Sequence, residues 1–433
     1  MLEAGKQINV AEKCILPKWL YVVLIFYAVQ GSINNYVRLY IMELGGGPVQ
    51  LSLAASAYSI AIIPAAFLAG LLADYVSHRR WILILSGIGQ TLTLFLLSSL
   101  EEINLIVVIY AVFSFISNFS PVIFSLLMIE TLKKQFWGKG RDMILRNMIL
   151  GQVLGLGLNE LVISQFPIKN VSPLPLMLSL VMLSLNLFIV KDPEITLERK
   201  MVFMNQESLI SRLSQLPIML LKLPQPADFK MVFRGLGNVL TREIPLIIVS
   251  MNLFFFGTNL FTTSYTPYLK SLGLTNFMMT SLDLILALVQ AIAISNRFSD
   301  VSRKGDPAVA VEFFSLRALA FLFAAIVSLS FTAANIPWAT AILYLPIGLS
   351  YSNLVIGVHK MLYDILPKTL EGRTLGVYSS LNNVVIFIGS LISGSISEIY
   401  GYSITFLLSS IALFTSASLF EWHYKPKRTW AEE

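Results

Sequence analysis

The chain alternates between long apolar runs and short polar gaps. Twelve runs stand out, at roughly 19–40, 50–74, 81–100, 104–131, 142–165 and 173–190, then 244–268, 276–296, 308–331, 337–362, 372–398 and 402–422. About 20 apolar residues of helix cross the ~30 Å hydrocarbon core of a bilayer. Backbone groups in lipid must find partners inside their own segment, so helix is the predicted conformation of every run. The pattern predicts an all-α polytopic membrane protein with twelve transmembrane helices. A polar stretch separates the sixth run from the seventh and holds Pro193, Pro217, Pro224 and Pro226. Inside it, SLISRLSQLPIMLLKLP at 208–224 reads as a short amphipathic segment lying on the membrane surface. The expected division is an N-terminal six-helix bundle over 1–190, a central loop over 191–243 and a C-terminal six-helix bundle over 244–433.

The two halves carry the same landmarks in the same order. GLLADYVSHRR at 70–80 follows the second run, and SNRFSDVSRKG at 295–305 follows the eighth. Each sets an aspartate, Asp74 or Asp300, ahead of a basic pair, Arg79 and Arg80 or Arg303 and Lys304. Span 1 ends in YIMELG at 40–45 and span 7 in YLKSLG at 268–273. GKGR ending at Arg141 precedes span 5, and LEGR ending at Arg373 precedes span 11. Partners lie 226 to 232 residues apart, which makes the halves copies of one design. Six spans per copy sets both copies the same way up, as parallel repeats about an axis along the membrane normal.

Composition agrees. Of 433 residues, 56% are hydrophobic and 13% charged, with mean hydropathy +0.73. Soluble proteins carry about 25% charged residues, so a water-facing surface is excluded. The net charge of +6 would suggest nucleic acid in a soluble chain. Here 26 of 31 Lys and Arg fall in the tails and in loops on one side, against Lys169 and Lys270 on the other. That asymmetry predicts both termini in the cytoplasm of a cell-membrane protein, and no nucleic-acid partner. One cysteine, Cys14, rules out an internal disulfide framework. The polar N-terminus has no apolar core with a cleavage site, so no cleaved signal peptide is expected.

On these residues the chain resembles the major facilitator superfamily of secondary transporters over nearly its whole length. Gly70, Leu72 and Asp74 match the family's signature between spans 2 and 3, and Arg79 and Arg80 supply its basic end. Tyr75 and Ser77 stand where arginine and glycine are usual, and Asn296 replaces the glycine of the second copy. The resemblance implies two pseudo-symmetric six-helix bundles around a central cavity lined by spans 1, 4, 7 and 10. It also implies a cytoplasmic latch around Asp74.

Charges within the spans need a partner, a cavity or a route to the interface. Arg317 lies about nine residues into span 9, where packing and transport roles are both open. Arg146, one turn into span 5, is expected to snorkel or to meet Glu130. With Gly70, Asp74, Arg79, Arg80, Arg141, Asp300, Arg303, Lys304 and Arg373, these two make up the expected cytoplasmic gate. Glu160 and Asp283, the acids furthest from the cytoplasmic ends, are the candidates for proton coupling. Gln30, Asn34 and Arg38 follow an i, i+4, i+8 stripe with Asn35 beside it, and a polar stripe is costly against lipid. Similar stripes hold Asn252, Asn259, Thr263 and Thr266 in span 7, and Ser114, Asn118 and Ser125 in span 4. Span 10 adds Tyr344, Tyr351, Asn353 and His359. The Asn-rich stripe of span 1 is expected to face a cavity, while Ser114 and Ser125 suit bonds between helices. Gly151, Gly155 and Gly157 in span 5 read as close helix packing.

GGGP at 45–48 lacks a following Gly-Lys-Ser/Thr, so nothing supports ATP drive. The three histidines are scattered, and neither a metal nor a cofactor is expected. The expected function is alternating-access transport of a small organic solute, not catalysis, by a monomer drawing on protons. The stripes suit a neutral or amphiphilic solute, or an anion held by Arg38. Export is favoured over uptake because no dense charged cluster lines the cavity. A transporter-like sensor and a membrane-embedded lipid enzyme are the rival classes, and neither the signalling domain of the first nor the acid cluster of the second is seen.

Overall fold

The computed structural model describes residues 17–75, 78–132, 136–192, 243–295, 307–330, 334–365 and 371–428. These form α1 (Leu20–Glu43), α2 (Pro48–Tyr75), α3 (Arg79–Ser98), α4 (Ile103–Thr131), α5 (Trp137–Ile163) and α6 (Pro173–Phe188). The second set is α7 (Glu243–Ser271), α8 (Asn276–Ser295), α9 (Pro307–Val327), α10 (Ile336–Ile365), α11 (Glu371–Tyr400) and α12 (Tyr402–Arg428). No strand occurs among the described residues. Ten of these helices are long and apolar enough to cross a membrane.

Several helices run past their apolar runs. Arg141, expected in a loop, lies in the opening turns of α5, and Arg373 in the first turn of α11. The helical ladder keeps satisfying backbone groups after the apolar pattern stops, so hydropathy underestimates helix length. The fourth span, expected to be continuous, is broken at Asn118 into Ile103–Ser117 and Phe119–Thr131. Pro121 has no N–H for the Ser117 carbonyl, and a proline ring crowds the preceding turn. Asn118 Nδ2 donates instead to the Ser114 carbonyl at 2.8 Å.

The repeat read in sequence recurs in the backbone. At the end of α1, Leu44 N–H donates to Tyr40 O, Gly45 to Met42 O and Gly46 to Ile41 O. At the end of α7, Leu272 donates to Tyr268 O, Gly273 to Lys270 O and Leu274 to Leu269 O. Gly45 and Gly273 hold φ of 86° and 84°, a left-handed turn that a side chain strains.

Packing follows the same symmetry. α1 packs on α5 and α6, and α7 on α11 and α12. The pairs α3–α6 and α2–α4 are matched by α9–α12 and α8–α10. The halves meet through α2–α11 and α5–α8, pairs that exchange under a shift of six helices. In α5, a Cβ on Gly151 or Gly155 would strike the α1 backbone at Leu24 O or Ala28 O. Those two glycines permit the α1–α5 approach, as their spacing predicts. Gly157 does not share this role, because nothing lies within 4 Å of its Cβ position.

Leu85, Leu92, Phe95 and Leu96 stand exposed on α3. Such a stripe is unfavourable in water and correct against lipid.

Candidate functional site

A cavity of about 570 Å³ lies between the halves, lined by α1, α2, α4, α5, α7, α10 and α11. Its polar lining comes from Asn34, Arg38, Tyr58, Ser59, Tyr110, Gln152, Asn259, Thr262, Thr263, Tyr351 and Ser390. From the predicted set it therefore gathers Asn34, Arg38, Asn259, Thr263 and Tyr351. Asn34 accepts a hydrogen bond from Tyr110 OH at 2.7 Å. The Tyr110 ring lies 4.8 Å from that of Tyr58, whose hydroxyl donates to Gln30 Oε1 at 2.9 Å. The stripe of α1 thus orients an aromatic pair on the cavity wall, with Gln30 buried beneath it.

At one end the cavity meets a set of bonds that join the halves. Arg38 Nη2 pairs with Asp283 Oδ2 at 2.6 Å, with side chains 32% and 17% exposed. Arg38 Nη1 donates to Thr266 at 3.4 Å, and its Nε to the Asn34 carbonyl at 3.1 Å. Asn35, expected on the cavity wall, is buried behind it as a hub. Its Nδ2 donates to Asp283 at 3.2 Å, and its Oδ1 accepts from Asn159 at 3.1 Å and Thr280 at 3.4 Å. Ser281 donates to Glu160 Oε1 across the α5–α8 contact, and Glu160 Oε2 is buried without a hydrogen bond. Further along, Glu43 accepts from Lys270 at 3.4 Å and Asn276 at 3.1 Å. All these groups sit toward the 44–47 and 272–275 turns.

The two candidate acids therefore differ. Asp283 faces the Arg38 guanidinium at 2.6 Å. Among the described residues, Glu160 meets only the Ser281 hydroxyl and leaves its second oxygen without a hydrogen bond.

The remaining predicted cavity residues lie elsewhere. Asn118 sits at the α4 break, Tyr344 is buried with its ring 6.0 Å from that of Tyr265, and the Asn353 amide donates to the Leu349 carbonyl. Asn252 borders a separate apolar hollow of about 440 Å³ with Leu253, Phe256 and Leu381. A helical stripe curves around its axis, so residues on one sequence face meet different neighbours at different depths. Tyr58, Tyr110 and Gln152 were missed by sequence reasoning. Their signal was a tyrosine or amide in mid-span, away from the interfaces where such residues usually sit.

At the opposite end, Arg79 pairs with Glu130 at 3.0 Å. Arg146, expected either to snorkel or to meet Glu130, is exposed on α5. Arg80 donates its backbone N–H to Asp192 at 2.8 Å and its guanidinium to the Leu187 carbonyl. An acid at the start of α3 and a cation at the end of α6 both oppose the helix dipoles. Arg141 is half-buried near the start of α5. Gly70 and Asp74 lie within α2 and Arg373 within α11. Asp300, Arg303, Lys304 and residues 193–242 of the expected central loop lie outside the described residues.

A membrane-embedded bundle of paired helices around a polar cavity is the architecture of a transporter. The family model of the Major Facilitator Superfamily matches residues 20–311 and 305–433, and the chain belongs to that family. Among solved structures, the nucleoside transporter NupG is similar with a TM-score of 0.67 at 13% identity, over 94% of this chain and 98% of that one. A POT family transporter in complex with a thioalcohol conjugated peptide is similar with a TM-score of 0.65 at 13% identity, over 94% and 96%. No curated protein sequence matches significantly. The chain is a multi-pass membrane transporter and not an enzyme.

Proposed function

We propose that this transporter moves a small neutral or anionic organic solute out of the cell by proton-coupled alternating access. The observation that carries this reading is the polar cavity closed at one end by cross-half bonds centred on Arg38–Asp283. The basic-loop asymmetry supports the reading that this end faces outside and that both termini are cytoplasmic, in the cell membrane. On this reading the solute enters the cavity from the cytoplasmic side. Release requires the Arg38–Asp283, Glu43–Lys270 and Glu160–Ser281 contacts to part while the 1–190 and 244–433 units rock, with 191–243 as their connector.

Glu160 is the proposed proton carrier. It lies across the α5–α8 seam that must open, and its buried Oε2 has no hydrogen bond and is the site proposed to take up the proton. Asp283 acts as the counter-ion of Arg38. The cavity volume suits a single small molecule, and the Tyr58–Tyr110 pair offers a ring face. The working unit is one chain, since each half supplies the other's missing wall.

The test uses purified protein in liposomes with an imposed pH gradient and a broad set of labelled small solutes. Proton-dependent flux of a neutral or anionic compound is expected, and absence of flux in either direction across the set would refute the reading. Net flux only down the inward direction would replace export with uptake.

A further inference from the structure

We propose that the solute is a small organic monoanion, and that Arg317 is a specificity-determining residue acting on it through the Tyr351 wall of the cavity. This deepens the transport reading and rests on it. Arg317, in α9, is 2% exposed. Its Nη1 donates to the Ile347 carbonyl at 2.7 Å and to Ser350 Oγ at 3.5 Å in α10. Its guanidinium carbon lies 5.2 Å from the Phe321 ring, 5.3 Å from Phe254 and 5.6 Å from Tyr351. Its Nε is buried without an acceptor, and no carboxylate pairs with it among the described residues.

An aromatic slot of this kind could be filled by methionine at no cost of charge burial, so packing alone does not explain arginine here. Guanidinium stays charged in proteins, and aromatic faces offset only part of its desolvation. Arg38, the expected anion holder, is already neutralised by Asp283. Arg317 thus carries a charge with no carboxylate partner among the described residues, and it lies against the ring of Tyr351, which lines the cavity. At an effective dielectric of about 20, a unit charge still acts over about 10 Å. A cation entering the cavity would be repelled and a neutral solute left indifferent. A monoanion completes the charge balance.

The experiment measures binding to the purified full chain in detergent by thermal shift and calorimetry. The probes are matched acids and amides: benzoate and benzamide, nicotinate and nicotinamide, indole-3-acetate and indole-3-acetamide. At least one acid is expected to bind more tightly than its amide. Arg317→Gln should lower the acid-to-amide affinity ratio by about tenfold and Arg317→Lys should retain it. Ser350→Asp keeps the guanidinium in its slot but supplies a counter-ion, and should reproduce the loss even if Arg317→Gln folds poorly. Preference for the amides in the unmodified protein, or a ratio unchanged by Ser350→Asp, would overturn the assignment. Flux of a neutral solute with that ratio unchanged removes the charge assignment and leaves the transporter reading standing. Acid-selective binding with no flux of any solute removes the transport reading and leaves the charge assignment.

Discussion

Replacing Asp283 by asparagine tests whether the cavity's closed end is held by charge. Asn keeps the shape and one acceptor for Arg38 but removes the counter-ion of a pair separated by 2.6 Å. Exposed ion pairs contribute about 0–1 kcal/mol, and breaking a fully buried one costs about 3–5 kcal/mol. With Arg38 32% and Asp283 17% exposed, the pair sits between these limits. A loss of about 2 kcal/mol from the closed arrangement is expected after that discount for solvent screening. It multiplies the ratio of open to closed at this end by about 30. The assay is distance measurement between spin labels at Ser164→Cys and Ser271→Cys, both exposed near this end, in a Cys14→Ser background. Asp283→Asn should raise the long-distance population, and Arg38→Gln combined with Asp283→Asn should return part of it because no unpaired charge remains. An unchanged distance distribution in Asp283→Asn would refute the idea that this pair closes the cavity.

Glu160→Gln should abolish uphill, pH-driven flux while leaving solute exchange, whereas Asp283→Asn should keep proton dependence at a lower rate; retained coupling in Glu160→Gln sinks the proton assignment. Gly155→Leu should lower the melting temperature or folded yield sharply because its Cβ meets the Ala28 carbonyl. By contrast, Gly157→Ala, with open space at its Cβ, should stabilise the helix by about 0.5–1 kcal/mol. Tyr110→Phe removes the hydroxyl bonded to Asn34 and should raise the apparent KM severalfold with a smaller change in maximal rate, a split readable in vesicle flux. Lys169→Ala removes an exposed partner of Glu101 and should leave the melting temperature within about 1 °C, since such surface pairs contribute little.

The legibility of the site differed between residues that share a helix. Gln30, Asn34 and Arg38 were recognised as one stripe because helical period alone sets their alignment. That Asn34 and Arg38 border the cavity while Gln30 lies beneath Tyr58 depends on where α2 crosses α1. Asn35 was placed beside the stripe, yet it works as a hub for α5 and α8, partners more than a hundred residues away. Glu130 was one of two fates expected for Arg146, the other being snorkelling, and it is Arg79 at the start of α3 that pairs with Glu130.

Span number, the doubled landmarks and the family were decided by local chemistry. A bilayer demands about 20 apolar residues per crossing and penalises any stray charge, so these features are written in one dimension. The pairing of Arg38 with Asp283, the orphan oxygen of Glu160 and the charge of Arg317 behind Tyr351 belong to the tertiary structure. They depend on which helices meet and at what rotation. Hydropathy carries no information about either once every span is apolar enough to enter the membrane.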